Sequence, residues 1–274
     1  MKNRFLAILF MFLGLAVSCS KDSGEDGTNP VNIDKIANLK AIGDSANEIL
    51  SNNTFDKLLI EIAYVKGFRP TFNSMANFVS FLKQHSFKQD IELVYQELPS
   101  PNEEKLTLKE IDDLEKKNRT VYNDGSTLGI YIYFADAPSE DDVEEEDLVN
   151  LGAVYWNTSM VIYEDTIRIL ASKSTLVSVG DVETATLNHE FGHLLGLVDL
   201  GSTPVNDHQG LTIDEDGNEI GDNHCTIEGC LMGAELQFGS GMKKMLENKA
   251  SKGIVDAPGL GPECILDLQA NGGK

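Results

Sequence analysis

The chain has 274 residues, of which 41% are hydrophobic and 24% are charged. This ordinary globular composition excludes collagen-like, wholly disordered and polytopic membrane proteins. The formal net charge of −22 comes from 44 acidic and 22 basic residues, and a surface of that sign repels phosphate backbones, so we expect no nucleic-acid partner. Any metal or catalytic site must draw on only five histidines and four cysteines.

The N-terminus has the features of a secretory signal. Lys2 and Arg4 precede an apolar run over residues 5–17, which is shorter than the roughly 20 residues that a membrane-spanning helix needs. The run ends just before Cys19, in a context that resembles the lipobox of bacterial lipoproteins, with Ala where Leu is usual three residues earlier. We therefore expect a lipoprotein signal peptide over 1–18 and lipidation of Cys19. A plain secretory signal with an incidental cysteine is the alternative.

A polar stretch rich in Gly, Ser and Asp follows, and residues 19–33 are expected to form a flexible tether. No second apolar run of spanning length occurs, so we expect residues 34–274 to form one domain that its lipid holds on a membrane. The anchor predicts a location in the bacterial cell envelope, outside the cytoplasm, on the periplasmic side or at the surface. The oligomeric state is open, and a monomer is assumed.

Hydrophobic periodicity predicts strands and helices that alternate along the chain. The predicted helices cover 34–51, 72–85, 106–118, 182–197 and 242–250, and the predicted strands cover 55–68, 91–98, 128–134, 153–163 and 166–170. This order indicates an α/β (α+β) fold with a sheet backed by helices. Gly and polar residues become frequent after the long helix, which suggests an N-terminal subdomain over about 54–198 and a small, irregular C-terminal subdomain over about 199–274.

The clearest chemical pattern is H-E-x-x-H-x-x-G-x-x-D within the long predicted helix and just after it. His189 and His193 are four residues apart, so a helix places both imidazoles on one face about 6 Å apart, where they can bind one Zn²⁺. The carboxylate of Glu190 can reach a water on that metal. Gly196 permits a sharp turn at the end of the helix, and this turn can bring Asp199 back as a third ligand.

This pattern resembles the helix motif of the metzincin clan of zinc metallopeptidases, H-E-x-x-H-x-x-G-x-x-H, in which some members, such as the snapalysins, have Asp as the last ligand. A second resemblance lies in the segment H-C-x4-C-x-M at 224–232, which is similar to the segment after the helix motif in archaemetzincins. The resemblance implies that His224 is the third zinc ligand and that Met232 forms the Met-turn beneath the metal. An ordinary core role for Met232 is the alternative.

The two resemblances give different third ligands for the zinc. Counting from the helix gives Asp199, whereas counting back from the Met-turn gives His224 beyond an inserted segment. His208 lies inside that insertion and is a further candidate. Zinc accepts both oxygen and nitrogen ligands, so the choice stays open, as does a site without a third protein ligand.

The resemblance to archaemetzincins would also imply a second zinc bound by four cysteines, ending in a C-x-x-C pair. This chain has no C-x-x-C and only Cys225, Cys230 and Cys264 after Cys19, so we expect no second structural zinc. A disulfide between Cys225 and Cys230 is expected instead, since disulfides form outside the cytoplasm. Cys264 is then the odd thiol, and a pairing of Cys230 with Cys264 stays open.

Together the motifs imply a metzincin-like twisted mixed sheet with an active-site helix, and a lipid-anchored zinc endopeptidase that cleaves proteins or peptides. Glu190 is the expected general base, and one catalytic Zn²⁺ is the expected cofactor. By element order, residues 152–162 are the candidate edge strand for substrate. The chain also resembles surface lipoproteins of the Bacteroidota.

Two further readings of the sequence remain. The alternative function is a surface lipoprotein that uses a metzincin scaffold to bind a protein or a glycan without broad proteolysis. The acidic residues over 140–147 and 214–218 suggest possible Ca²⁺ sites, although a solvated loop and a hairpin turn explain them more simply.

Overall fold

A five-stranded mixed sheet lies at the centre of the computed structural model, which describes residues 34–143, 148–214, 216–254 and 256–274. The predictions of a signal peptide, a lipidated Cys19 and a tether therefore fall outside the described residues. No helix among the described residues is long and apolar enough to cross a membrane.

The sheet consists of parallel strands with one antiparallel strand at its edge. Its strands are β1 (Lys57–Val65), β2 (Asp90–Leu98), β3 (Thr127–Phe134), β4 (Gly152–Trp156) and β5 (Ser159–Ile162). They are ordered β2-β1-β3-β5-β4, and β4 pairs antiparallel with β5. The central strands β1 and β3 are largely apolar runs because both faces of the sheet are covered. The predicted α/β fold, with a mixed sheet backed by helices, is confirmed.

Helices lie on both faces of this sheet, and further helices follow in the C-terminal part of the chain. The helices are α1 (Ala46–Leu50), α2 (Phe72–His85), α3 (Leu108–Asn118), α4 (Glu164–Ser172), α5 (Val179–Leu194), α6 (Gly239–Ser251) and α7 (Pro262–Ala270). Helices α2 and α5 meet through Phe78 and Phe191, whose ring centroids are 5.1 Å apart, in the same core as Ile60 and Ile132 of the sheet. Ile111 of α3 belongs to a second core that contains Tyr131 of β3.

Helix α5 is buried along most of its length, and local chemistry fixes both of its ends. Ser178 caps its N-terminus by accepting a hydrogen bond from the backbone N–H of Asp181, while the Asp181 carboxylate accepts one from the Ser178 N–H at 2.8 Å. The helix ends at Leu194, and Gly196 then turns the chain with a φ of +75°. The helix therefore begins and ends about one turn before the predicted 182–197.

Two of the predicted secondary-structure elements, one before and one after the strands of the sheet, are wrong. The predicted strand over 166–170 is part of helix α4, because Ile167 and Leu170 recur at helical spacing and bury one helix face. The predicted helix over 34–51 is a short 3-10 turn at Lys35–Asn38 followed by α1. One continuous helix cannot form here because Gly43 lies inside the predicted range and has a φ of +82°, which is not a helical value.

Two other regions contain more structure than the sequence indicated. The predicted strand over 153–163 is a hairpin of β4 and β5 with a bulge between Val154 and Trp156. The C-terminal part of the chain, after α5, contains a separate two-stranded antiparallel sheet as well as α6 and α7. Its strands are β6 (Gln209–Ile213) and β7 (Glu219–Cys225).

The cap of α5 gives a test of the fold. Replacing Ser178 by Ala removes the oxygen that accepts from the N–H of Asp181, and we expect the free energy of unfolding to fall by about 1 kcal/mol. Denaturant unfolding measures this change. The same substitution at the exposed Ser126, in the turn before β3, serves as the control and should leave stability within about 0.5 kcal/mol. Equal losses for the two variants would contradict the role of the cap.

Candidate metal centre

Three imidazoles converge where helix α5 meets strand β7. His189 and His193 lie one helical turn apart on α5, and His224 is the penultimate residue of β7. Their ring centroids are 5.0 to 5.4 Å apart, and one ring nitrogen from each lies within 4.8 Å of the other two. All three residues are buried. The fold therefore brings together three potential ligands for one metal ion.

Backbone carbonyls hold two of these rings in a defined tautomer. His189 donates from Nδ1 to the carbonyl oxygen of Leu231 at 2.8 Å, and His224 donates from Nδ1 to that of Asp222 at 2.7 Å. A carbonyl can only accept, so the proton must be on Nδ1 and the lone pair on Nε2. Both Nε2 atoms, and Nδ1 of His193, are buried without a hydrogen-bond partner.

The electrostatics favour neutral rings. Burial lowers the pKa of His189 to about 4, and it also lowers the pKa of His224 and takes the pKa of His193 well below its usual value. Neutral imidazoles are the form that binds a metal, whereas a buried ring nitrogen without a partner costs free energy. One Zn²⁺ could bind one nitrogen of each ring and would satisfy the unpartnered Nε2 atoms of His189 and His224, so the residues present fit this metal.

The other two candidates for the third ligand lie elsewhere. Asp199 is exposed and is not part of the three-histidine group. Val198 and Asp199 have φ values of 58° and 62°, so the chain turns through the left-handed region directly after the helix. His208 is buried but binds Asp267, with 2.7 Å between Nε2 and Oδ2. Of the three candidates, only His224 lies beside His189 and His193.

The predicted disulfide between Cys225 and Cys230 is wrong. Among the described residues Cys225, Cys230 and Cys264 are all free, buried thiols. The Cys225 sulfur lies 3.3 Å from Nδ1 of His208, and the sulfur of Cys230 lies 3.6 Å from that of Cys264 without a bond. The open pairing of Cys230 with Cys264 is therefore also not formed.

The described residues give no support to a Ca²⁺ site. Asp214 lies in the turn between β6 and β7, where its carboxylate accepts hydrogen bonds from the backbone N–H groups of Asp216 and Asn218. These bonds lower the pKa of Asp214, and they commit its oxygens to the turn. Residues 144–147 of the other acidic run fall outside the described residues.

Glu190 lies beside the three histidines, in a cleft of about 320 Å³. Burial raises the pKa of its carboxyl to about 8, which suits a group that must both accept and donate a proton near neutral pH. Strand β4 forms one wall of the cleft, and a Cβ atom at Gly152 would come within 2.6 Å of Cγ of Glu190. The absence of a side chain at Gly152 thus leaves room for Glu190 against the edge strand.

Met232 packs against helix α5 at Gly192. Its side chain is fully buried, and a Cβ atom at Gly192 would lie only 2.3 Å from its sulfur. Gly192 is therefore the position on α5 where the thioether can approach the helix between His189 and His193. The backbone of the same segment is bonded to the residue after His224, since the N–H of Cys225 donates to the carbonyl of Met232 at 2.7 Å.

Several cleft residues were not found by the sequence analysis. The lining also includes Asn150, Tyr163, Asp222 and Gln237. These residues come from segments far apart in the sequence and belong to no short motif. Only Gly152 carries a signal, because a glycine at the start of an apolar strand often marks a close approach of another group.

Comparisons with known proteins give similarities of structure but none of sequence. No family model and no curated protein matches the sequence. The structure is similar to that of archaemetzincin from Methanopyrus kandleri, with 14% sequence identity and a TM-score of 0.47, over 80% of this chain and 96% of that one. Similarity at this level assigns no function to the chain, so the chemistry of the centre must be inferred from its own residues.

The position of His224 gives a test of the ligand set. Replacing His224 by Ala removes one of three converging nitrogens, and we expect a loss of zinc affinity of at least about 100-fold, because a buried ligand is not replaced by solvent. Zinc competition with a chelating dye measures this affinity. Asp199→Ala is the matched control and should bind zinc as the wild type does. Loss of zinc in the Asp199 variant alone would contradict this ligand set.

The contact between Gly192 and Met232 gives a second test. A methyl group at Gly192 would overlap the Met232 sulfur, and we expect Gly192→Ala to lower the free energy of unfolding by about 1–3 kcal/mol. A double-mutant cycle with Met232→Ala measures the coupling. If the two side chains clash, the double variant should be more stable than the sum of the single losses predicts. Simple additivity would show that Met232 is not the group in contact.

Proposed function

We propose that this chain is a zinc-dependent endopeptidase in which His189, His193 and His224 bind the metal and Glu190 is the general base. The observation that carries the proposal is the convergence of three buried histidine rings, with one nitrogen of each within 4.8 Å of the other two, beside a carboxyl group in a cleft. A metal centre with three protein ligands and an accessible side is typical of catalytic rather than structural zinc.

The metal would supply Lewis-acid chemistry, acidifying water and polarising a substrate carbonyl. Glu190 accepts the proton of the attacking water at its carboxylate and then donates it to the nitrogen of the leaving amine. Burial raises the pKa of Glu190 to about 8, which favours the second transfer, donation to the leaving amine, near neutral pH. Its place between the histidines and strand β4 puts this proton transfer at the edge of the sheet.

The position of strand β4 at the edge of the sheet supports the proposal that the substrate is a peptide. It is the last strand of its sheet, pairs with β5 on one side only, and lines the cleft from Gly152 to Val154. An extended peptide can add to such an edge through main-chain hydrogen bonds, with its side chains on alternate faces. A substrate bound in this way would have a backbone carbonyl beside Glu190. The proposed substrates are therefore extended segments of proteins or peptides.

The alternative of a pure binding protein has no specific observation in its favour. A scaffold that only held a partner would have no use for a buried carboxyl group beside three potential metal ligands. The lipid anchor at Cys19 and the envelope location remain part of the proposal, supported by the signal-like residues 1–18 alone.

The role of Glu190 can be tested without disturbing the metal. Glu190→Gln keeps the size of the side chain but cannot accept the proton, so we expect kcat/KM to fall by about 10²–10⁴-fold with unchanged zinc content. Cleavage of a peptide library, followed by mass spectrometry, measures activity, and a chelator should abolish it reversibly. Glu219→Gln, at an exposed site in β7, is the matched control. Full activity in the Glu190 variant would refute the proposed mechanism.

A further inference from the structure

A second cavity, of about 450 Å³, adjoins the cleft at His224. We call it the hairpin pocket, because strands β6 and β7 form one of its walls. The segment after Met232 forms the other wall. The cleft and the hairpin pocket share four lining residues, which are Asp222, Asn223, His224 and Gln237. A molecule bound in the cleft can therefore extend into the hairpin pocket.

Two large apolar side chains line the hairpin pocket from opposite walls. Leu211 of β6 is 63% exposed, and its cross-strand partner on β7 is Gly221, which has no side chain to cover it. Phe238, on the other wall, is half-buried. A single exposed leucine is ordinary on a protein surface, but one that lines a cavity beside a candidate metal centre offers a contact surface to a ligand.

The polar side chains of the hairpin wall already have partners. Oδ1 of Asp222 accepts from the backbone N–H of His224 at 2.9 Å, and Oδ1 of Asn223 accepts from Nε2 of Gln209 at 3.1 Å. None of the described residues that line the hairpin pocket is Lys or Arg. The carboxylate of Asp222 would also repel an acidic ligand. Apolar contact is therefore the main interaction that this pocket offers.

The backbone before strand β4 leads from Glu190 to the hairpin pocket. Gly152 lies beside Glu190, and two residues earlier Asn150 forms an antiparallel bridge with Phe238. The N–H of Gly239 donates to the carbonyl of Val149 at 2.9 Å, which holds the two segments together. A peptide that follows the β4 edge past Gly152 thus meets Phe238 within a few residues of the carbonyl beside Glu190.

We infer that the hairpin pocket binds a large apolar side chain of the substrate and that Leu211 and Phe238 determine this specificity. The inference rests on the proposed function and narrows its substrates to peptides with Leu, Met or Phe close to the cleaved bond. Leu211 belongs to the segment inserted between the helix motif and His224, so this wall is particular to this chain and does not follow from the helix motif.

Cleavage preference tests the role of Leu211. The substrates are Ala- and Gly-based peptides that differ at one residue, which is Leu, Phe, Lys or Ala, with the cut located by mass spectrometry. We expect the wild type to cleave beside Leu or Phe, with kcat/KM at least about 10-fold above that for Ala, and Leu211→Ala to lose most of this preference. Leu211→Asp should shift the preference toward Lys. A purely structural role would lower kcat/KM for all peptides alike.

Ile213→Ala is the matched control for this experiment. Ile213 lies two residues further along β6, on the same face of the hairpin, and is 64% exposed, but it does not line the hairpin pocket. Its replacement removes a similar apolar side chain and should leave the preference of the wild type unchanged. A preference for Lys in the wild type, or an equal loss in the Leu211 and Ile213 variants, would overturn the inference.

Peptide binding separates this inference from the proposed activity. Dye-labelled versions of the same peptides are titrated with Glu190→Gln protein, and fluorescence anisotropy gives their affinities. We expect the Leu peptide to bind about 10-fold more tightly than the Ala peptide, and Leu211→Ala in the same background to abolish the difference. If this difference appears but the wild type cleaves nothing, the pocket stands and the proposed activity fails. Cleavage without preference, equal affinities for all peptides or no binding of any peptide would refute the pocket.

Discussion

The hydrogen bond from Nδ1 of His189 to the carbonyl of Leu231 connects the two parts of the candidate metal centre. It fixes the tautomer of a potential ligand on helix α5, and it also holds the loop between Cys230 and Met232 against that helix. That loop is held in turn by the N–H of Leu231, which donates to Gly259 at 2.8 Å. The arrangement of His224 relative to α5 depends on this chain of backbone contacts.

Close packing, and not flexibility, gives the centre its shape. Helix α5 has buried residues from Val182 to Leu194, so its histidines cannot turn toward solvent to satisfy their nitrogens. Two glycines make the packing possible: Gly192 admits the Met232 sulfur, and Gly152 admits the side chain of Glu190. A centre built in this way is preorganised, because the rings and the carboxyl are placed before a metal or a substrate arrives.

The sequence predicts the local parts of this protein well and the non-local parts poorly. The spacing of His189 and Glu190 is a property of one helix, and the helix was predicted within about one turn. The third potential metal ligand was ambiguous because its identity depends on where the chain comes back to helix α5. Left-handed φ values at Val198 and Asp199, followed by a hairpin, bring His224 back to the helix, and no short motif encodes that path. The partnership of His208 with Asp267, 59 residues apart, is hidden for the same reason.

Strand β4 has a further consequence for how the protein behaves in solution. An edge strand with free backbone groups pairs readily with any extended chain, including another copy of the same protein, and such edges are a common route to aggregation. The net charge of −22 opposes that pairing, since two copies must bring like-charged surfaces together. The acidic surface thus opposes self-association through charge repulsion, and this repulsion should weaken as the salt concentration rises.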